Sequence, residues 1–126
     1  MTAVSGWPAP ARRAFEDIRT TVLDAASEVP DLRVVETLKW GEPSWLPENR
    51  RTGSTLRAAW KPALPDQISL FVNCNSAISA TILEIYPTAF VYGRNRALRM
   101  PLSAPLPTEA IAHCAVLTLT WHRKTA

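Results

Sequence analysis

The chain contains little glycine, cysteine or histidine, with four Gly, two Cys and two His among 126 residues. With so few glycines, it has neither a phosphate-cradling glycine loop nor a dinucleotide-binding fingerprint, and no G-x-S-x-G nucleophile motif occurs. Two cysteines cannot build a disulfide framework or a structural zinc pattern. These absences exclude several large classes of enzyme, and the sequence predicts a non-enzymatic protein without an obligatory cofactor.

Long hydrophobic runs are also missing. The longest apolar stretch, residues 110–119, is interrupted by His113 and Thr118 and is far shorter than the roughly 20 residues of a membrane-spanning helix. The N-terminal residues lack the basic-then-apolar order of a signal peptide. We therefore expect a cytoplasmic protein that does not enter a membrane.

The histidines do not form a metal or nucleophile motif. His113 and His122 are nine positions apart on a predicted helix, so they cannot form the i, i+4 pair of a helical metal site. Cys114 follows His113 directly, and adjacent residues of a helix do not face each other. A Cys/His nucleophilic pair is therefore not expected.

What the chain does contain fits a single globular domain spanning residues 1–126, with its core at about residues 10–123. Hydrophobic residues make up 47% and charged residues 20%, which suits a domain with a core of its own. The net charge of +3 is unevenly distributed: residues 1–49 carry −3 and residues 50–126 carry +6. Such an asymmetry is a hint of an anionic partner.

Hydrophobic periodicity predicts an α+β fold with the order α-α-β-β-α-β-α. Two alternating segments joined by a short proline-containing linker predict an antiparallel pair, and the expected packing is a small antiparallel sheet of about three or four strands covered by helices. Residues 115–121 also alternate, so a strand stays an alternative to a helix there. The predicted helices are 10–28, 32–38, 76–86 and 109–123, the predicted strands are 55–61, 67–73 and 96–100, and an exposed loop is predicted at 48–54.

The segment ETLKWGEPSW, residues 36–45, is the most distinctive local feature. Asp31 is a candidate N-cap for the short second helix, and Gly41 stands where a left-handed C-terminal residue is expected. Pro43 prevents the helix from continuing. The sequence therefore predicts a helix stop followed by a stiff corner.

At these residues the chain resembles a known family. ETLKWGEPSW, the strand ending ISLFVN, the turn GRNRALRMPL and the helix opening PLPTEAIAHC are together similar to the YdhG-like bacterial domains (domain of unknown function family 1801). The resemblance covers about residues 12–123. It implies a compact α+β fold whose role is largely uncharacterised, and some members are described as frataxin-like iron chaperones.

An acidic stripe is the candidate for iron. Asp17, Asp24 and Glu28 are spaced i, i+7, i+11, which places them on one line of the first predicted helix, opposite its apolar face. Hard cations bind carboxylate oxygens, so a weak iron site is chemically reasonable there. The alternative is that these residues form the polar face of an amphipathic helix.

Tryptophan and arginine side chains supply the second candidate site, a pocket for a small anionic ligand. Indole rings give apolar walls, and an arginine can bind a phosphate or carboxylate bidentately. A third hypothesis is a protein-interaction or homo-oligomer module, with a monomer or a homodimer as the expected state and nucleic acid not expected as a partner. The candidate ligand-binding residues are Trp40, Trp45, Trp60, Arg94 and Arg96.

Overall fold

The structure, a computed structural model, describes residues 4–72, 77–93 and 97–123. Within these ranges it is an α+β fold with three helices and one six-stranded antiparallel sheet of order β1-β2-β3-β4-β6-β5. None of the described helices is long and apolar enough to span a bilayer. The elements are α1 (Ala9–Ser27), β1 (Val34–Lys39), β2 (Glu42–Pro47), β3 (Leu56–Ala59), β4 (Gln67–Phe71), α2 (Ile78–Ile85), β5 (Val91–Tyr92), β6 (Ala97–Pro101) and α3 (Thr108–Leu119).

All three predicted helices other than 32–38 are present. Helix α1 begins after Pro8 and has Pro10 in its first turn, where a missing N–H costs little. On its apolar stripe, the side chains of Phe15, Ile18 and Val22 are fully buried. Residues 115–119 belong to α3, so the helical alternative is the correct one there.

The predicted second helix is wrong, because residues 34–39 form strand β1. Val34, Val35 and Thr37 are β-branched and favour extended backbone. Strand β1 pairs with β2 through a two-residue turn at Trp40 and Gly41, whose φ angles are +51° and +76°. Positive φ at both central residues is what a type I′ hairpin requires. The predicted corner is therefore the turn of a hairpin.

Two prolines lie inside β2 without interrupting its pairing with β1. A two-residue turn closes on a hydrogen-bonded pair, here Lys39 and Glu42, and such pairs then alternate along the hairpin. Pro43 and Pro47 therefore occupy positions at which an N–H would point away from β1. The ladder on their other side, to β3, contains only the pairs Ser44–Arg57 and Trp45–Leu56.

The sheet has six strands, and the prediction of three or four missed β1, β2 and β5. All three helices lie against one face of the sheet. Phe15 of α1 stacks on Trp45 of β2, α1 packs along α3, and the Tyr92 hydroxyl of β5 donates to the Tyr86 carbonyl at the end of α2. Alternation of the side chains then places a second set on the other face, which no described helix covers and which we call the open face. It includes Glu42, Ser44, Arg57, Ser69, Phe71 and Arg99.

Candidate functional site

The structure does not bring the three candidate tryptophans together. Trp45 is fully buried under α1, where its ring lies 6.0 Å from that of Phe15 at an interplanar angle of 16°. Trp60 donates its indole N–H to the carbonyl of Pro65 at 3.0 Å. Trp40, at the hairpin turn, is 86% exposed.

The two arginines predicted to join these tryptophans, Arg94 and Arg96, lie outside the described residues. The predicted pocket lined by three indoles is therefore not formed by the side chains that the structure describes, since Trp45 and Trp40 lie on different faces of the sheet.

Trp45 instead belongs to a polar network beneath α1. Its indole N–H donates to Glu36 Oε2 at 2.8 Å, and Arg19 donates to both carboxylate oxygens, from Nε at 2.7 Å and from Nη2 at 2.9 Å. The hydrogen bond from Arg19 lowers the pKa of Glu36, and burial opposes that shift. Glu36 and Trp45, the two ends of ETLKWGEPSW, therefore fasten the hairpin to α1.

This network should make the stability of the fold depend on pH. Because the pKa of Glu36 is lowered in the folded state, its stabilising contribution is present above the ordinary value of 4.5 and is lost as the pH falls through the lowered value. At pH 7 we expect Glu36→Gln to lower the free energy of unfolding by about 1 kcal/mol, a modest figure because Arg19 is partly exposed. Urea titrations from pH 7 to pH 3 should show the two proteins converging in acid. A constant difference would contradict this assignment.

The acidic stripe lies on the exposed side of α1. Asp17, Asp24 and Glu28 are all exposed, and the first two are separated by about 10 Å along the helix axis because each residue rises 1.5 Å. Among the residues that the structure describes, no three His, Cys, Asp or Glu side chains gather at a distance suited to a metal ion. The iron hypothesis therefore rests on the family resemblance and not on a gathered set of ligands.

The adjacent residues His113 and Cys114 of α3 lie in different environments. His113 Nδ1 lies 2.8 Å from the Tyr86 hydroxyl, and their rings meet edge to face. Cys114 is buried, and burial raises the pKa of its thiol to about 12. A thiol with that pKa stays protonated and unreactive at neutral pH.

The most unusual group of side chains lies on the open face, around Arg57. Its guanidinium carbon is 5.1 Å from the ring centroid of Trp40 and 5.1 Å from that of Phe71. Phe71 is the residue directly opposite Arg57 in the β3–β4 ladder, and Trp40 approaches from the β1–β2 turn. We call Trp40, Arg57 and Phe71 the arginine clamp.

Glu42 partly balances the charge of the clamp. Its carboxylate lies 2.7 Å from Arg57 Nε and 2.7 Å from Lys61 Nζ. The contact with Arg57 is an ion pair without a well-directed hydrogen bond. Neither terminal nitrogen of Arg57 forms a hydrogen bond within the part of the chain that the structure describes. One carboxylate thus faces two cations, and the cluster keeps a net positive charge.

A further cation of the open face lies two strands away from Arg57. A Cβ added to Gly93 would be 2.6 Å from the guanidinium carbon of Arg99, so that side chain lies directly against the glycine backbone. Arg99 pairs with Ser69 of β4, on the same face as Phe71. Among the residues that the structure describes, the open face therefore presents the cations Arg57 and Arg99 and the carboxylate of Glu42.

Neither Phe71 nor Arg57 is among the candidate ligand-binding residues that the sequence predicts. The alternating pattern of residues 55–61 is the signal that could have found Arg57, because it places this side chain on the opposite face from Leu56 and Ala58. What it could not supply was the ladder register that sets Phe71 beside Arg57.

In comparisons with protein-family models, with curated proteins and with solved structures, nothing matched this chain. The resemblance to the YdhG-like domains therefore stays a prediction from the residues that carry it.

Proposed function

We propose that this protein is a non-enzymatic binding domain that takes a small anionic ligand on the open face of its sheet, at the arginine clamp. The observation that carries the proposal is the contact of the Arg57 guanidinium with two aromatic rings. The ligand that fits this chemistry is a carboxylate or phosphate attached to a planar ring.

The clamp prepares Arg57 for bidentate recognition. Two aromatic neighbours restrict the planar guanidinium and shield it from water, and Glu42 fixes it from the Nε side. The two terminal nitrogens then form a fork whose spacing matches two oxygens of one anion. A side chain already held in this orientation loses less conformational entropy on binding than a free arginine does.

Trp40 supplies the second part of the site. It is 86% exposed although it is large and apolar, and one side of its ring contacts Arg57. A planar ligand could stack on the exposed indole while its anionic group meets the fork. Stacking of this kind stabilises complexes by about 0.5–1.5 kcal/mol beyond the area that it buries.

The test is an isothermal calorimetric titration of the purified protein with each of three anions: benzoate, adenosine monophosphate and inorganic phosphate. We expect the two ring-bearing anions to bind more tightly than phosphate, and Arg57→Ala to weaken them by roughly 10- to 100-fold, as for loss of a hydrogen-bonded charge. Arg57→Lys keeps the charge but loses the fork, so it should restore only part of the affinity.

Arg13→Ala is the matched control, because it removes the same charge from the exposed side of α1. Equal weakening in Arg13→Ala and Arg57→Ala would show that only net charge matters and would contradict the clamp. Absence of binding by all three anions at millimolar concentration would refute the proposal. Thermal melts of each variant separate lost binding from lost folding.

A further inference from the structure

At its outer edge strand β1 has backbone groups that form no hydrogen bond with the described part of the chain, a feature independent of the arginine clamp. Hydrogen-bonded pairs alternate along the β1–β2 hairpin from Lys39–Glu42, so Thr37 and Val35 also direct their N–H and C=O groups toward β2. The hydrogen bond from the Glu48 N–H to the Arg33 carbonyl, at 2.7 Å, continues this alternation. The backbone groups of Val34, Glu36 and Leu38 therefore point outward.

Strand β1 has two of the features that protect an edge from pairing, the charged side chains of Lys39 and of Glu36, whose carboxylate is paired with Arg19, but it lacks the others. It contains six residues without proline, glycine or a bulge, and its ladder with β2 is continuous. Two of its apolar side chains are exposed, Val35 at 39% and Leu38 at 46%. At the opposite edge of the sheet, β5 contains only two residues.

We propose that β1 pairs with β1 of a second copy of this chain, antiparallel, with the two-fold axis passing beside Thr37. The two sheets then join edge to edge into one continuous sheet. Glu36 and the partner's Leu38 form a hydrogen-bonded pair, and symmetry repeats that pair on the other side of the axis. Thr37 faces the partner's Thr37.

Charge selects this register over its nearest competitor. Only two antiparallel registers that use the outward groups keep five of the six β1 residues in the new ladder, with the axis at Glu36 or at Thr37. The axis at Glu36 sets two carboxylates directly opposite each other, which is destabilising even though each is also paired with Arg19 of its own chain. With the axis at Thr37, no like charges of β1 are opposed, because Val35 faces the partner's Lys39. Both registers cover the two exposed apolar side chains, Val35 and Leu38, so the charges are what distinguish them.

The contact is small, so the dimer should be weak. Stable interfaces bury about 800 Å² on each partner, and a single strand edge supplies only part of that area. We therefore expect the weight-average mass in sedimentation experiments to rise from the monomer toward the dimer between about 10 and 500 µM protein, a range that brackets a dissociation constant of roughly 100 µM.

Cross-linking tests the register directly. In a Cys74→Ser background, Thr37→Cys should form a disulfide-linked dimer under mild oxidation, since non-hydrogen-bonded neighbours lie about 4.5 Å apart between Cα atoms, within disulfide range. Val35→Cys should not, because its neighbour is the partner's Lys39. Thr88→Cys, at an exposed position away from the sheet edge, gives the rate of random collisions. Cys114 is buried and should not form a disulfide in this experiment.

Charge substitution at Val35 gives a second, independent readout. Val35→Glu sets a carboxylate opposite the partner's Lys39 and should tighten the dimer several-fold, whereas Val35→Lys should weaken it by a similar factor. A monomeric wild type at the highest concentration would overturn the proposal. So would cross-linking of Thr37→Cys at the Thr88→Cys rate, or a shift in the same direction for both Val35 variants.

Discussion

Replacing Trp45 with alanine should lower the free energy of unfolding by about 3–5 kcal/mol, the range for removing a large aromatic side chain from a core. Its side chain is fully buried, stacks on Phe15 and donates a hydrogen bond to Glu36. The substitution removes all of these contacts at once and leaves a cavity between β2 and α1. Guanidinium unfolding of the variant and the wild type measures the difference.

Trp40→Ala is the matched control, because it deletes the same side chain five residues earlier. Trp40 is 86% exposed, so its removal should change the free energy of unfolding by no more than about 0.5 kcal/mol. If Trp45→Ala does not fold, Trp45→Phe should still fold and lose about 1–2 kcal/mol, since it keeps a ring beside Phe15 but lacks the N–H donor. Equal effects at both tryptophans would contradict the placement of the hairpin.

Much of the fold could be predicted from the sequence because local periodicity determines it. Helix α1 was predicted within a residue of its bounds, since Phe15, Ile18 and Val22 recur at helical spacing and prolines stand at both ends. The β3–β4 pair followed from alternation in two neighbouring segments. In these cases the pattern and the tertiary environment favour the same structure.

The β1–β2 hairpin could not be predicted in this way because two patterns compete in one segment. Leu32, Val35 and Leu38 have helical spacing, and Gly41 resembles a helix C-terminus. The β-branched residues of 34–37 and the adjacent strand partner decide in favour of extended backbone. Trp40 has a φ of +51°, which is uncommon for a residue other than glycine and is stabilised here by the closed hairpin.

The candidate site depends on register, which a single sequence does not specify. Arg57 lies on a strand whose alternation is visible in the sequence, but its neighbours come from two other places in the chain. Phe71 lies beside Arg57 because β3 pairs with β4. Trp40 contacts Arg57 because of the β1–β2 hairpin, which the sequence pattern did not predict. The acidic stripe, by contrast, depends only on helical spacing, and α1 places it on one exposed side as predicted.

Gly53→Ala should cost about 2–4 kcal/mol of unfolding free energy, through overpacking and the loss of adjacent hydrogen bonds. A Cβ at this position would lie 2.0 Å from the Leu119 carbonyl oxygen and 2.8 Å from that of Thr118. Both obstacles are backbone atoms at the end of α3, so a side-chain rotation cannot relieve the clash. The segment 48–54 is predicted as an exposed loop, but only its first residues are exposed. Its last two residues, Gly53 and Ser54, are buried against the C-terminal end of α3.

Two backbone hydrogen bonds make this contact specific. The Ser54 N–H donates to the Thr118 carbonyl, and the His122 N–H donates to the Thr52 carbonyl, each at 2.9 Å. In the Gly53→Ala variant, the Ser54 and His122 amides should lose hydrogen-exchange protection before the amides of α1 do, because the displaced loop opens locally. Gly6→Ala is the control, since an added Cβ there meets no atom within 4 Å. Equal stability of the two variants would mean that this loop does not rest on the end of α3.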